Sequence, residues 1–400
     1  MSNIGVYGGT FNPPHKGHML AARQCREALG LDRVLVIPAA IPPHKQLADG
    51  SPDAQTRLAL TQLAARGLDG FEVSDLELRR EGPSYTVDTL RQLSAQHPGD
   101  TLWLMMGTDM FLSFDSWREP EQIVQLAHIV CFARTAVDAA LKAKLEAQAE
   151  RLRRELGADV TLLHNEFLDI SSTEARRLLF FGLADGILEP DVLDCIRRHG
   201  LYGLGADYRG LPFDRLREVS LSLHKPSRRA HAEGTSETAV RLARKYGADE
   251  ALAARAGILH DLTKALSGPQ QLEFCRLHGL AVSDEERESP GILHGKTAAW
   301  CARELFGECA AVCSAIEFHT TGKADMTLLE KIIYIADYVE PTRSFPGVDA
   351  LREAVWRSLD EGVLLGLEQT LTLLRSQGRP VCSASAEARA YLLRERTLLL

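Results

Sequence analysis

The sequence predicts an N-terminal α/β domain built on a parallel sheet, followed by a C-terminal all-α domain. Three observations carry this. The chain has 400 residues, too many for one ordinary core and comfortable for two. Short apolar runs alternate with helical patterns as far as Tyr202, the signature of a sheet covered on both faces. The stretch Gly203-Leu-Gly-Ala-Asp-Tyr-Arg-Gly-Leu-Pro212 then breaks the texture, and beyond it the periodicity is helical with no strand series. The expected boundaries are a first domain over 1–204, a linker over 205–212 and a second domain over 213–400.

The strands come first. Ile4-Gly-Val-Tyr7 ends at Gly8-Gly9, and Val34-Leu-Val-Ile37 ends in a proline-rich loop from Pro38 to Pro43. Phe71-Glu-Val-Ser-Asp75, the apolar Leu102-Trp-Leu-Met-Met106, His128-Ile-Val-Cys-Phe-Ala133 and Val160-Thr-Leu-Leu163 continue the series. The charged, alanine-rich segment from Ala136 to Leu156 reads as a solvated helix. In the second half, Thr238 to Tyr246 and Leu328 to Val339 have helical composition, and the segment after about Gln377 reads as a closing helix or a frayed tail.

Composition narrows the function classes. Apolar residues make up 45% and charged residues 25% of the chain, which is globular rather than disordered. A formal net charge of -8 argues against nonspecific nucleic-acid binding but leaves room for a local basic pocket. No leader peptide or membrane-spanning run is expected. The eight cysteines are scattered without a C-x-x-C pair, so free thiols in a reducing cytoplasm are expected. The expected partners are small-molecule nucleotides, with no nucleic acid and no membrane. The oligomeric state stays open, a homo-oligomer included.

The densest signal is Gly8-Gly-Thr-Phe-Asn-Pro-Pro-His-Lys-Gly-His18. Glycines at a strand end let a backbone approach a ligand closely. His15 and His18 lie three apart at an expected helix start, so they share one face. A helix N-terminus suits phosphate, and the imidazoles can donate to charge developing on a phosphoryl group. Gly17 is expected to leave room for the nucleotide. Two surface histidines are the plain alternative, which the strand before and the helix after disfavour.

These residues resemble the H-x-G-H nucleotidyltransferase superfamily, and within it the bacterial nicotinate-nucleotide adenylyltransferases, over roughly Met1 to Tyr202. The resemblance implies a Rossmann-like fold and transfer of AMP from ATP to nicotinate mononucleotide, with His15, His18 and Arg176 as catalytic residues. ATP would lie on Gly8, Gly9, Thr10 and Phe11 and on the Ile170-Ser-Ser-Thr-Glu-Ala-Arg176 element. There Ser171, Ser172 and Thr173 offer hydroxyls and Arg176 a cationic fork. Taken alone, S-S-T-E is also an ordinary capping box. Pro42-Pro43-His44-Lys45, Ser84-Tyr-Thr-Val-Asp-Thr-Leu90 and Gly107-Thr-Asp109 with Trp117 resemble the family's mononucleotide pocket. That assigns His44, Lys45, Thr86, Asp109 and Trp117 to it, the indole stacking on the pyridine ring. Mg2+ is expected to arrive with ATP. Another acceptor, such as pantetheine phosphate, is the alternative.

The second half carries metal-type ligands scattered over helices: His231, His260-Asp261, His294, His319 and Asp337. Imidazole with carboxylate suits divalent transition metals. Neighbours on a helix point about 100° apart, so His260 can bind one ion while Asp261 bridges to a second, and two ions can activate water beside a phosphate. Any one of these histidines alone would more often be structural. However, Gly257-Ile-Leu-His260, Gly291-Ile-Leu-His294 and Ala315-Ile-Glu-Phe-His319 each place a histidine at the end of an apolar run, where a buried imidazole needs a partner.

With Arg228-Arg-Ala-His231, His260-Asp-Leu-Thr-Lys264, His319-Thr320 and Ile335-Ala-Asp-Tyr-Val-Glu-Pro-Thr-Arg343, this half resembles the HD-domain phosphohydrolases. The nearer likeness is to the YqeK-like symmetrical diadenosine tetraphosphate hydrolases, over about Phe213 to Gly362. Gly234-Thr235 departs from the pattern, where a valine would be usual. The resemblance implies two iron ions, Lys264 and Arg343 on the polyphosphate, and hydrolysis to two ADP. The residues themselves support two divalent metals and a phosphoester or phosphoanhydride. A regulatory HD module that has lost catalysis and a cyclic-dinucleotide phosphodiesterase are the alternatives.

Overall fold

The computed structural model describes residues 1–43, 46–134, 139–165, 168 and 170–398. It divides into two compact units, Met1–Ala206 and Asp207–Leu400.

The first unit holds six parallel strands: β1 (Asn3–Gly9), β2 (Arg33–Pro38), β3 (Phe71–Val73), β4 (Thr101–Gly107), β5 (His128–Arg134) and β6 (Val160–Asn165). They lie in the order β3-β2-β1-β4-β5-β6, the doubly wound Rossmann-like arrangement expected from the alternation of strands and helices. Successive side chains serve opposite faces. Val34 and Val36 enter one buried cluster while Leu35 and Ile37 enter the other, which is why these strands read as unbroken apolar runs. The chain leaves β1 toward β2 and later returns on its other side as β4. The described β1–β4 pairing runs from Asn3–Thr101 to Val6–Leu104, and both strands continue beyond it to Gly9 and Gly107. Such a switch point opens a crevice outside the carboxyl ends of the strands, and the glycine-rich motif lies at its lip.

The second unit is helical. Its long helix Pro226–Tyr246 packs on Glu250–Leu259. A Cβ on Gly257 would stand 2.6 Å from Ser236 Cα, so only glycine permits that approach. The helix Leu328–Val339 is capped by Thr327 and Glu330 and buries Ile332, Ile333, Tyr334, Ile335 and Ala336, more than one face, as a central helix must. Part of the expected linker is bonded into this unit: the Gly210 N–H donates to Phe306 O at 3.3 Å, and Arg255 Nη1 donates to Leu211 O at 3.0 Å. The tail forms the helix Ser383–Leu398, with Ala388 and Leu392 buried and Ser385 Oγ donating to Thr321 O at 2.8 Å. Among the described residues no helix is long and apolar enough to cross a membrane, and all eight cysteines are free thiols.

Gly257→Ala is expected to force the two helices apart and cost about 1–3 kcal/mol. Denaturant unfolding of the variant against the parent checks this, and an unchanged midpoint would contradict it.

Candidate functional site

At the mouth of the first unit's crevice, His15 caps the helix Lys16–Leu29. The His15 and His18 rings stack with centroids 3.5 Å apart, so the two imidazoles act as one face. The His15 N–H donates to His18 Nδ1 at 3.1 Å, which places the His18 ring proton on Nε2. Phe11, at φ 46°, sets its ring edge-on to His18, 5.1 Å away. His15 is 4% exposed, and its Nδ1 has no partner among the described residues. Burial pushes its pKa down to about 4, so the ring is neutral at pH 7. A Cβ on Gly17 would stand 3.0 Å from both His15 Nδ1 and Leu168 O, so protein packing also favours glycine at this position.

The second motif closes on the first across the sequence. Arg176 Nη1 donates to Asn12 O at 2.7 Å over a separation of 164 residues, and Ser172 Oγ donates to Pro13 O at 3.2 Å. Ser171 accepts from the Glu174 N–H and caps the helix Ser172–Phe180, while Thr173 Oγ1 accepts from Arg176 Nη2. Arg57 grips the same loop from below and was not anticipated. It is fully buried, and its guanidinium donates to Thr10 O at 2.8 Å and Ala40 O at 3.1 Å. In sequence it is one arginine in an amphipathic run, with nothing local to mark it. Neither Arg57 nor Arg176 forms an ion pair with a described residue, so two partly desolvated cations stand behind the glycine-rich loop and favour an anion in front of it.

His44 and Lys45 lie outside the described residues. The loop leading to them is held by Ser84, whose Oγ accepts from the Ala40 N–H at 3.0 Å and whose N–H donates to Ile41 O at 2.9 Å. Thr86 opens the helix Thr86–Gln96. Gly8 is exposed with open space where a Cβ would lie, and Asp109 is exposed just after β4. Trp117 is half-buried against Phe114, ring centroids 5.3 Å apart.

In the helical unit all six expected ligands converge. Asp261 Oδ2 lies 3.5 Å from His231 Nε2 and 3.6 Å from His260 Nε2. Its Oδ1 lies 3.3 Å from His294 Nε2 and 3.6 Å from His319 Nε2. Asp337 Oδ1 is 3.1 Å from His231 Nε2. Each ring is held from behind, because Nδ1 of His260, His294 and His319 donates to the carbonyl three residues earlier, at Gly257, Gly291 and Ile316. His231 Nδ1 instead meets Glu340 Oε1 at 3.0 Å. These bonds turn Nε2 of all four rings inward, the Nε2 atoms lying 3.3 Å apart between His231 and His260 and 3.1 Å apart between His294 and His319. Burial depresses His260 to about 3 and His294 to about 4. Burial also works against charge on His231, yet Asp261, Asp337 and Glu340 hold it up at about 9.

Inward-facing imidazole nitrogens around a shared carboxylate fit divalent cations, whose binding would displace the proton that His231 carries. His231, His260 and Asp337, and separately His260, Asp261 and His319, place one ligand atom each within 4.8 Å of one another. The groups that face this interior are donors. Arg228 pairs with Asp261 and Arg343 with Asp337, Lys264 Nζ lies 3.0 Å from His294 Nε2, and Thr320 Oγ1 lies 2.9 Å from the same atom. A cavity of about 830 Å³ adjoins them, lined by residues that include Lys264, Asp337 and Arg343 together with Tyr338, Phe345 and Leu373. Its size is that of a small-molecule site. Glu340 went unnoticed in the sequence, although it lies in the Ile335–Arg343 run, three residues past Asp337.

Residues 6–178 match the family described as cytidylyltransferase-like and residues 228–342 match the HD domain. The chain is 39% identical over 198 residues to a "Probable nicotinate-nucleotide adenylyltransferase" of Geobacter metallireducens, covering 47% of this chain and 91% of that protein. It is 40% identical over 209 residues to a protein of the same description from Acidithiobacillus ferrooxidans, covering 49% and 94%. A solved structure from Clostridium acetobutylicum, a "predicted HD superfamily hydrolase involved in NAD metabolism", is 38% identical with a TM-score of 0.45, covering 46% of this chain and 98% of that one.

The buried neutral His15 has a consequence for stability. Its folded pKa of about 4 lies below the unfolded value near 6.5, so the unfolded state binds the extra proton and stability falls as pH drops through this window. The full linkage is on the order of 3 kcal/mol, about 2 of it between pH 7 and pH 5. Urea unfolding at both values is expected to show His15→Gln losing that much less than the parent on acidification; equal losses would contradict it.

Proposed function

We propose a function for each half from one premise: the chain belongs to the nicotinate-nucleotide adenylyltransferase family through its N-terminal half and carries an HD domain in its C-terminal half. The first half transfers AMP from ATP to nicotinate mononucleotide. The observation that carries this is the closure of Arg176 and Ser172 onto Asn12 and Pro13, which joins the two phosphate-type motifs at the sheet's switch point. A phosphate oxygen of the mononucleotide attacks the α-phosphorus of ATP. The new P–O bond forms as the bond to the bridging oxygen of the β-phosphate breaks, and pyrophosphate leaves with that electron pair. No covalent enzyme intermediate is required. His18, its proton on Nε2, donates to the charge growing on the α-phosphoryl oxygens, while His15 stays neutral and fixes the His18 ring. Arg176 and the loop amides hold the triphosphate, and Arg57 supplies positive potential without touching it. Magnesium enters with ATP. His44 and Lys45 would meet the acceptor's carboxylate end, and Trp117 its pyridine ring.

The second half is a metal-dependent phosphohydrolase, and the reading goes as far as symmetrical hydrolysis of diadenosine tetraphosphate to two ADP. It rests on Asp261, whose two oxygens face two separate imidazole pairs. His231, His260, Asp337 and Asp261 would hold one divalent ion; His294, His319 and the other oxygen of Asp261 a second. Iron is the metal implied by resemblance. Bound there, such ions supply Lewis acidity to water and phosphate alike. Lys264, Arg343 and Arg228 stand where they can take phosphate charge, and the adjoining cavity can receive a nucleoside.

His18→Ala is expected to lower adenylyl transfer about a hundred- to a thousand-fold with the hydrolase unchanged, measured by pyrophosphate release; near-parental turnover would remove His18 from the mechanism. Catalytic efficiency is expected to be higher for nicotinate than for nicotinamide mononucleotide, and equal values or the reverse order would overturn the acceptor assignment.

A further inference from the structure

We propose that Glu340 is a positioning residue that makes the His231–His260–Asp337 half the tighter of the two metal positions, and that Gly234 is the notch that admits it. This rests on the dinuclear reading above.

The two halves are backed differently. His260, His294 and His319 each donate Nδ1–H to a neutral main-chain carbonyl. His231 alone of the four donates to a carboxylate. Glu340 is fully buried, and its one ion-pair partner among the described residues is His231. Thr342 completes its shell, with the N–H donating to Oε2 at 2.7 Å and the hydroxyl donating to Oε1 at 2.5 Å. A buried carboxylate is costly unless opposite charge faces it. Through the ring of His231, a bound cation answers that charge, and the carboxylate in turn makes the imidazole a stronger donor.

Gly234 is an independent sign of the same device. It sits inside the 21-residue helix Pro226–Tyr246, one turn after His231, where glycine costs about 1 kcal/mol relative to alanine. A Cβ at that position would stand 2.5 Å from Glu340 Oε2. The helix therefore gives up stability locally to let the carboxylate reach His231.

The remaining charges add to the asymmetry. Asp337 belongs to this half, and Asp261 is shared by both. The His294–His319 half has no carboxylate of its own and has the Lys264 ammonium 3.0 Å from His294. Arg228 and Arg343 pair with the two aspartates, but their side chains are 32% exposed and can swing away, whereas Glu340 is enclosed.

The test titrates Mn2+ into the chelator-treated full chain, with bound ions counted by electron paramagnetic resonance. The parent is expected to fill in two steps, the first tighter. In Glu340→Gln the first step should weaken about 10- to 100-fold while the second stays within about threefold. Gly234→Ala should weaken the same step, and the double variant should be no worse than Glu340→Gln alone, because both act through one contact. Thermal unfolding of the metal-free forms and adenylyl transfer by the other unit report whether each variant is folded. An unchanged first step in folded Glu340→Gln, an equal loss in both steps, or additive effects in the double variant would overturn the proposal. A parent that takes up no Mn2+, Fe2+ or Zn2+ would overturn the dinuclear reading itself, and this inference with it.

Discussion

One carboxylate organises the helical unit. Asp261 is 2% exposed and so cannot carry its charge alone; among the described residues its carboxylate is faced by Arg228 and four imidazoles. Because its two oxygens lie on opposite sides of the same carbon, they distribute four imidazoles into two pairs. Those imidazoles come from helices far apart in sequence, and each is fixed by a bond behind its Nδ1. The helix packing that brings them together is itself demanding, since the pair Pro226–Tyr246 and Glu250–Leu259 meets closely at Gly257. Stability of the bundle and geometry of the centre are thus one problem: moving a helix by the width of a methyl group moves a ligand.

The first unit solves a different problem. Its chemistry needs an anion held beside the stacked rings of His15 and His18, and the sheet supplies the place by parting β1 from β4 at their carboxyl ends. The loop there is secured by guanidinium groups bonded to its carbonyls at Thr10 and Asn12, not by a second strand. The Thr10–Phe11 peptide, its carbonyl turned toward buried Arg57, presents the Phe11 N–H to the other side, which is the side a phosphate would occupy, whereas the Asn12 carbonyl precedes Pro13 and brings no N–H with it. Arg57 and Arg176 therefore shape the loop and bias its potential at once. No metal ligand set is needed from the protein for that arrangement.

Much of this was legible in the sequence, and the reasons differ by feature. The central strands were readable because both their faces are buried, so apolar runs such as Val34–Ile37 and Leu102–Met106 persist without polar interruption, whereas β3 is short and half-exposed around Glu72. The helix start near His15 was readable from the strand and glycines before it, and Leu328 to Val339 from its helical composition. His260, His294 and His319 stood out because each ends an apolar run; that recurrence reflects the shared i−3 carbonyl that anchors these three rings. What escaped is non-local. Arg57 acts through two loops outside its helix, and Glu340 matters only because Gly234, more than a hundred residues earlier, leaves space for it. At Gly17 a main-chain carbonyl at Leu168 and the His15 ring also crowd the space a Cβ would take, which nothing in the local spacing shows. Spacing along one segment can show which face a residue shares, but not which distant backbone fills the gap opposite. The stretch past Gly205 read as a linker for the same reason, although from Asp207 it is tied to the helical unit.

The central claim is that one chain carries two chemically separate active sites, one of them a metal centre bridged by Asp261. The most direct measurement compares the parent with Asp261→Ala in one preparation, recording bound metal, diadenosine tetraphosphate hydrolysis and adenylyl transfer to nicotinate mononucleotide. The account predicts that the parent holds close to two ions per chain, and that the variant loses one or both together with hydrolysis while its adenylyl transfer is unchanged. A variant that still hydrolyses diadenosine tetraphosphate at the parental rate, or one that loses both activities while remaining folded, would contradict it.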